Sequence, residues 1–134
     1  MKNILIIDDE MDIRNNIKAI LEDENYNTQT ASDSSKAMKL IKENAFDLII
    51  LDVWLNDSEL DGLETLKLIR EDYPYLPVII ISGHGNIDMA VKAIKEGAYE
   101  FIEKPFKTER LLLSISRTIE MIEIKNENQF LRER

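Results

Sequence analysis

Three runs in this chain are apolar at every position: Ile4-Leu5-Ile6-Ile7, Leu48-Ile49-Ile50-Leu51 and Val78-Ile79-Ile80-Ile81. A strand with one wet face alternates apolar and polar residues, whereas an unbroken β-branched run must be covered on both sides. Such strands occur almost only in parallel sheets with helices on either face, which restricts the chain to an α/β architecture. Two weaker candidates, Tyr26-Asn27-Thr28-Gln29-Thr30 and Ala98-Tyr99-Glu100-Phe101-Ile102, interleave polar with apolar residues, as edge strands do.

Helical periodicity fills the intervals. Ile13, Ile17, Ile20 and Leu21 share one face of a first helix, Ala37, Leu40 and Ile41 one of a second, and Leu63, Leu66 and Ile69 one of a third. Ile87, Ala90, Val91 and Ile94 follow the same spacing in a fourth. Boundary residues agree. Asn86 can cap the fourth helix, with Lys92 and Lys95 in its last turns and Gly97 just beyond. Asp33 or Ser34 can cap the second helix and Thr108 the fifth. The order is βα five times, which predicts a doubly wound five-stranded parallel sheet with helices on both faces. The flavodoxin-like strand order 2-1-3-4-5 places the second and fifth strands at the edges, and those are the two that read as half polar.

The 134 residues are one domain's worth, 44% apolar and 32% charged, so a single core suffices. Cysteine is absent and His84 is the sole histidine, which removes disulfides, thiol nucleophiles and the usual zinc sites. The 17 basic residues against 26 acidic ones give a net charge of -9, so phosphate backbones would repel the chain and no direct nucleic-acid binding is expected. No apolar run is long enough to span a bilayer, so no membrane association is expected. Lys2-Asn3-Ile4-Leu5 opens without a charged-then-apolar leader, and with the missing cysteines this suggests a cytoplasmic protein.

Ligands of open α/β sheets bind at the carboxyl ends of strands, beside the point where strand order reverses, here between the first and third. The first strand runs into Asp8-Asp9 and the third into Asp52. Carboxylates this close oppose one another's ionisation, so a positive partner must compensate. Their hard oxygens suit Mg²⁺ (or Mn²⁺) better than zinc or copper. Ser82 closes the fourth strand and Lys104 follows the fifth. Three carboxylates, a divalent ion and one ammonium sum to zero, and with a hydroxyl donor they supply the positioning and charge that phosphoryl transfer needs. A carboxylate can itself be the nucleophile. Asp52, on a central strand between the acidic pair and the Ser82–Lys104 side, is the best placed.

Ile6-Ile7-Asp8-Asp9-Glu10, Leu51-Asp52, Ile81-Ser82-Gly83 and Phe101-Ile102-Glu103-Lys104-Pro105-Phe106 resemble the signature of bacterial two-component response-regulator receiver domains, which have the CheY-like fold. The resemblance implies that Asp52 accepts a phosphoryl group from a histidine kinase or a small phosphodonor. It implies Mg²⁺ held directly by Asp9, Asp52 and the Trp54 backbone carbonyl, with Asp8 acting through water. Ser82 and Lys104 would contact the phosphoryl oxygens, Ser82 and Phe101 would form the switch, and the Lys104–Pro105 bond would be cis. A switch of this kind phosphorylates and dephosphorylates itself but turns over no external substrate. One departure stands out: Val53-Trp54-Leu55-Asn56-Asp57-Ser58-Glu59-Leu60, ahead of Asp61-Gly62, is longer than usual in the family and lacks its proline.

That run, with Ser82-Gly83-His84-Gly85-Asn86 and Glu103-Lys104-Pro105-Phe106-Lys107-Thr108, is similar to NtrX-type nitrogen regulators of the NtrC family. In those, a receiver precedes a sigma-54-interacting ATPase domain and a DNA-binding domain. On that resemblance residues 1–122 form the receiver, and 123–134 start a helical linker toward C-terminal ATPase and DNA-binding domains.

Plainer readings compete. Asp8-Asp9 taken alone is a solvated strand end, Ser82 a turn residue, Lys104 a surface lysine and Phe101 ordinary core. His84 between glycines reads as a loop residue, and Trp54 either packs locally or faces a kinase. Leu112, Ile115, Ile119 and Ile122 with Asn126 form either a short heptad seam for a homodimer or the face with which the last helix covers the sheet. Two other functions stand beside the switch: a small Mg²⁺-dependent phosphohydrolase with Asp52 as nucleophile, and a degenerate receiver that works without phosphate. The hydrolase usually carries a second Asp two residues after the nucleophile, where Trp54 stands here.

Overall fold

The structure, a computed structural model, describes residues 2–53, 55, 62–83 and 87–132, with side chains in the last helix as far as 125. Strands β1 (Asn3–Ile7), β2 (Asn27–Ala31), β3 (Leu48–Asp52), β4 (Val78–Ser82) and β5 (Glu100–Glu103) alternate with helices α1 (Met11–Asp23), α2 (Ser34–Glu43), α3 (Gly62–Asp72), α4 (Ile87–Lys95) and α5 (Thr108–Arg132). Every pairing is parallel and the strand order is β2-β1-β3-β4-β5, as the edge-strand argument requires.

Successive side chains of the central strands enter opposite layers. Leu5, Ile7, Ile49, Leu51, Val78 and Ile80 meet Ala37 and Ile41 of α2, Leu66 and Ile69 of α3, and Ala93 of α4. Ile4, Ile6, Leu48, Ile50, Ile79 and Ile81 meet Ile17 and Leu21 of α1 and Leu111 and Ile115 of α5. Burial on both faces explains why these runs contain no polar residue; each such side chain contributes roughly 1.5–3 kcal/mol.

Several boundaries differ from the sequence pattern for local reasons. β2 is shifted one residue toward Ala31, which pairs with Ile7 and whose carbonyl accepts the Asp8 N–H at 3.2 Å. β5 begins at Glu100 because the Ala98 N–H is spent closing α4 on the Ala93 carbonyl at 3.0 Å. Gly97 makes that closure feasible at a φ of 105°, where a side chain would be strained. Asp33 rather than Ser34 caps α2, accepting the Lys36 N–H at 2.8 Å. Thr108 is the first helical residue of α5 and not its cap; the Lys107 carbonyl accepts the Arg110 and Leu111 N–H groups. Asn86 lies outside the described residues.

One helix uses its apolar residues differently from expectation. α4 turns its stripe outward: Ile87 is 82% exposed, Val91 47% and Ile94 48%. It is seated instead through buried Ala93 and half-buried Met89, the small alanine letting the helix lie close to the sheet. On α5, by contrast, Ile115 is buried and Leu112 and Ile119 pack beside it, so this part of the seam covers the sheet. Charged contacts add to that seat: Glu100 of β5 accepts from Arg110 and Arg117, each at 3.0 Å, and Lys2 pairs with Glu123 at 2.8 Å. Among the described residues no helix is long and apolar enough to cross a membrane.

Candidate functional site

The register of β1 against β3 brings two acidic segments to one rim. Asp8 and Asp9 leave the end of β1, Asp52 is the last residue of β3, and carboxylate oxygens of all three lie within 4.8 Å of one another. Asp8 is fully buried, Asp52 nearly so, and Asp9 half-buried. Lys104 completes the cluster from the exit of β5. Its Nζ donates to Asp8 Oδ2 and to Asp52 Oδ2, both at 3.0 Å. Its own N–H donates to the Ser82 carbonyl at 2.9 Å, which ties the end of β5 to the end of β4. Ser82 is fully buried there.

Three carboxylates crowd together with one bridging ammonium, a concentration of negative charge that a divalent ion would offset. The donors are oxygens alone, with neither thiolate nor imidazole among them, so the cluster fits Mg²⁺ or Mn²⁺. Burial pulls the Lys104 pKa down, but the hydrogen bonds and charges of Asp8 and Asp52 outweigh it and hold the ammonium above the ordinary lysine range. A lysine so raised contributes stability at every pH below its unfolded value and loses it only as pH rises through the folded one. Lys104→Met should therefore lower stability by about 3 kcal/mol at neutral pH without divalent ions, since it strands buried carboxylates. In urea titrations the difference from wild type should close only in strong alkali.

Asp8, Asp9, Asp52, Ser82 and Lys104 thus meet at one edge of the sheet. Phe101 sits on β5, half-buried and packed with the cluster that α3 and α4 cover. The Lys104–Pro105 bond is cis. Trp54 and His84 lie outside the described residues, as does most of the long run before Gly62. Two features of the site carried no signal strong enough to single out in advance. Asp8 Oδ1 accepts the Glu10 N–H at 2.9 Å, and Arg14 Nη1 donates to the Asp8 carbonyl at 2.8 Å. Gly62 is buried against the residue after Asp52: its N–H donates to the Val53 carbonyl at 3.0 Å.

A 2-1-3-4-5 sheet with three carboxylates and a lysine on its carboxyl edge is the arrangement of a signalling receiver, and the chain belongs to the response regulator receiver domain family, whose model matches residues 4–116. It is similar to a putative NtrX-like response regulator of Rickettsia bellii, 51% identical over 126 residues that cover 94% of this chain and 26% of that protein. It is likewise similar to the nitrogen assimilation regulatory protein NtrX of Azorhizobium caulinodans, 48% identical over 131 residues that cover 98% of this chain and 29% of that protein. The crystal structure of NtrX from Brucella abortus superposes with a TM-score of 0.95 at 50% identity, covering all of this chain and 30% of that one. The chain therefore spans less than a third of the length of these relatives.

Proposed function

We propose that Asp52 is the phosphoacceptor of a Mg²⁺-dependent switch. The observation that carries this is the meeting of Asp8, Asp9 and Asp52 within 4.8 Å, with Lys104 bridging two of them. Asp9 and Asp52 would hold the ion directly, joined by the Trp54 carbonyl, while Asp8, whose oxygens already receive Lys104 and Glu10, would act through water. Bound there, the ion supplies charge neutralisation for the transferring phosphoryl group. An Asp52 oxygen attacks phosphorus as the bond to the kinase histidine nitrogen breaks. Ser82 and Lys104 stabilise the phosphoryl oxygens, and inward movement of Ser82 draws Phe101 after it.

The exposed stripe of α4, with Leu113 on α5, is the surface on which the change would be read. It is also the surface on which two copies would pair, because the inward seat of Leu112, Ile115 and Ile119 leaves little of the α5 seam for that purpose. Residues 1–122 form the receiver and 123–134 the start of a linker. In the full-length cytoplasmic protein that linker leads to a sigma-54-type ATPase and a DNA-binding domain controlling nitrogen genes. The module turns over no external substrate.

The test is beryllofluoride with Mg²⁺, followed by amide NMR. Shifts spreading from Asp52 to Ser82, Phe101 and Lys104 are expected. A folded protein whose spectrum ignores the reagent would leave the phosphate-independent receiver, and steady turnover of phosphate esters would indicate the phosphohydrolase.

A further inference from the structure

Asp8 is held at every polar atom it has. Its N–H donates to the Ala31 carbonyl, Oδ1 accepts from Glu10, Oδ2 accepts from Lys104, and its carbonyl accepts Arg14 Nη1 at 2.8 Å. The last of these comes from a side chain on α1 reaching back across the helix start. Glu10, at the N-cap, makes no side-chain cap of its own, so the junction between β1 and α1 depends on the Asp8 carboxylate and on Arg14. The Asp8 carbonyl belongs to the peptide that joins Asp8 to Asp9. Fixing that peptide fixes the direction in which the Asp9 side chain leaves the chain.

We propose that Arg14 is a positioning residue for the cation site, an inference that rests on the reading of Asp8, Asp9 and Asp52 as that site. Arg14 holds the Asp8–Asp9 peptide in the orientation that aims Asp9 at Asp52, and it touches neither the ion nor the phosphoryl group. A planar guanidinium suits the task because it grips a carbonyl with little freedom to wander. Groups that orient metal ligands in this way change metal affinity by about 10- to 100-fold when removed.

The sign of the effect separates this role from simple electrostatics. Removing a positive charge beside a cation site should tighten cation binding, whereas removing a positioning group should weaken it. Mg²⁺ alone, titrated into the intact chain and followed by amide NMR, reads the difference without any phosphoryl chemistry. Arg14→Met and Arg14→Gln should each raise the Mg²⁺ dissociation constant about tenfold, and Arg14→Lys, which restores a charged donor, should recover most of it. Circular dichroism and urea unfolding establish that each variant is folded, and either neutral variant suffices if the other is not. Affinity unchanged or improved in a folded neutral variant, with wild type binding Mg²⁺, would overturn the role of Arg14 alone. Wild type that ignores Mg²⁺ would overturn the site reading, and this inference with it.

Discussion

Asp52→Asn should abolish phosphoryl incorporation from a small phosphodonor, by on the order of a thousandfold or more, because an amide cannot serve as the nucleophile. Intact-mass spectrometry after incubation with acetyl phosphate and Mg²⁺ reads the outcome as a single added phosphoryl group in wild type and none in the variant. The same substitution should leave the fold intact. Lys104 keeps its 3.0 Å contact to Asp8, and the crowded carboxylates lose one negative charge. Without divalent ions the variant should therefore unfold at the same urea concentration as wild type or a higher one. Added Mg²⁺ should stabilise wild type by mass action and the variant far less. Full labelling of folded Asp52→Asn would move the acceptor elsewhere and sink the proposed function.

Gly62→Ala should be the most damaging alanine substitution among the described glycines. A Cβ built on Gly62 would collide with Val53 Cα and its carbonyl carbon, and neither is a side-chain end that can swing aside. Val53 is also pinned on its other side, where its N–H donates to the Ile81 carbonyl at 3.2 Å. The start of α3 would have to withdraw from the end of β3, loosening the seat of Leu66 and Ile69 against the sheet. A loss of about 3 kcal/mol or more is expected, at the upper end for overpacking. Urea unfolding should show it as a lowered midpoint at unchanged slope. Because Val53 follows Asp52 directly, phosphoryl uptake should fall in the same variant. A midpoint within experimental error of wild type would mean that the helix start can relax without cost.

Most of the architecture was legible because the central strands are buried on both faces and leave no choice of period. Ile4–Ile7, Leu48–Leu51 and Val78–Ile81 suit a covered parallel sheet, and its strand order alone places Asp8, Asp9, Asp52, Ser82 and Lys104 on one rim. Where more than one face could serve, the sequence was ambiguous. Ile87, Val91 and Ile94 have the spacing of a core stripe, yet the helix is seated through Ala93 and Met89, a choice made by how closely it can approach the sheet. Strand ends depart from the sequence pattern where a backbone group is engaged elsewhere, as at Ala98. Arg14 and Gly62 were illegible for a different reason: their roles consist of contacts to main-chain atoms of Asp8 and Val53, which no side-chain pattern encodes.

The sheet is also a partition. Phe101 belongs to the layer beneath α3 and α4, whereas Leu111 and Ile115 of α5 belong to the layer on the other side, and among the described residues no core side chain is shared between the two. On the proposed switch, a movement of Phe101 has a covalent route to α5 in the main chain of β5, an outermost strand of only Glu100–Glu103. Its neighbours in that strand, Glu100 and Ile102, are the residues that grip α5, one through Arg110 and Arg117 and the other through oil. Four residues at the margin of the molecule thus join the layer that holds the aromatic ring to the helix on the opposite face of the sheet.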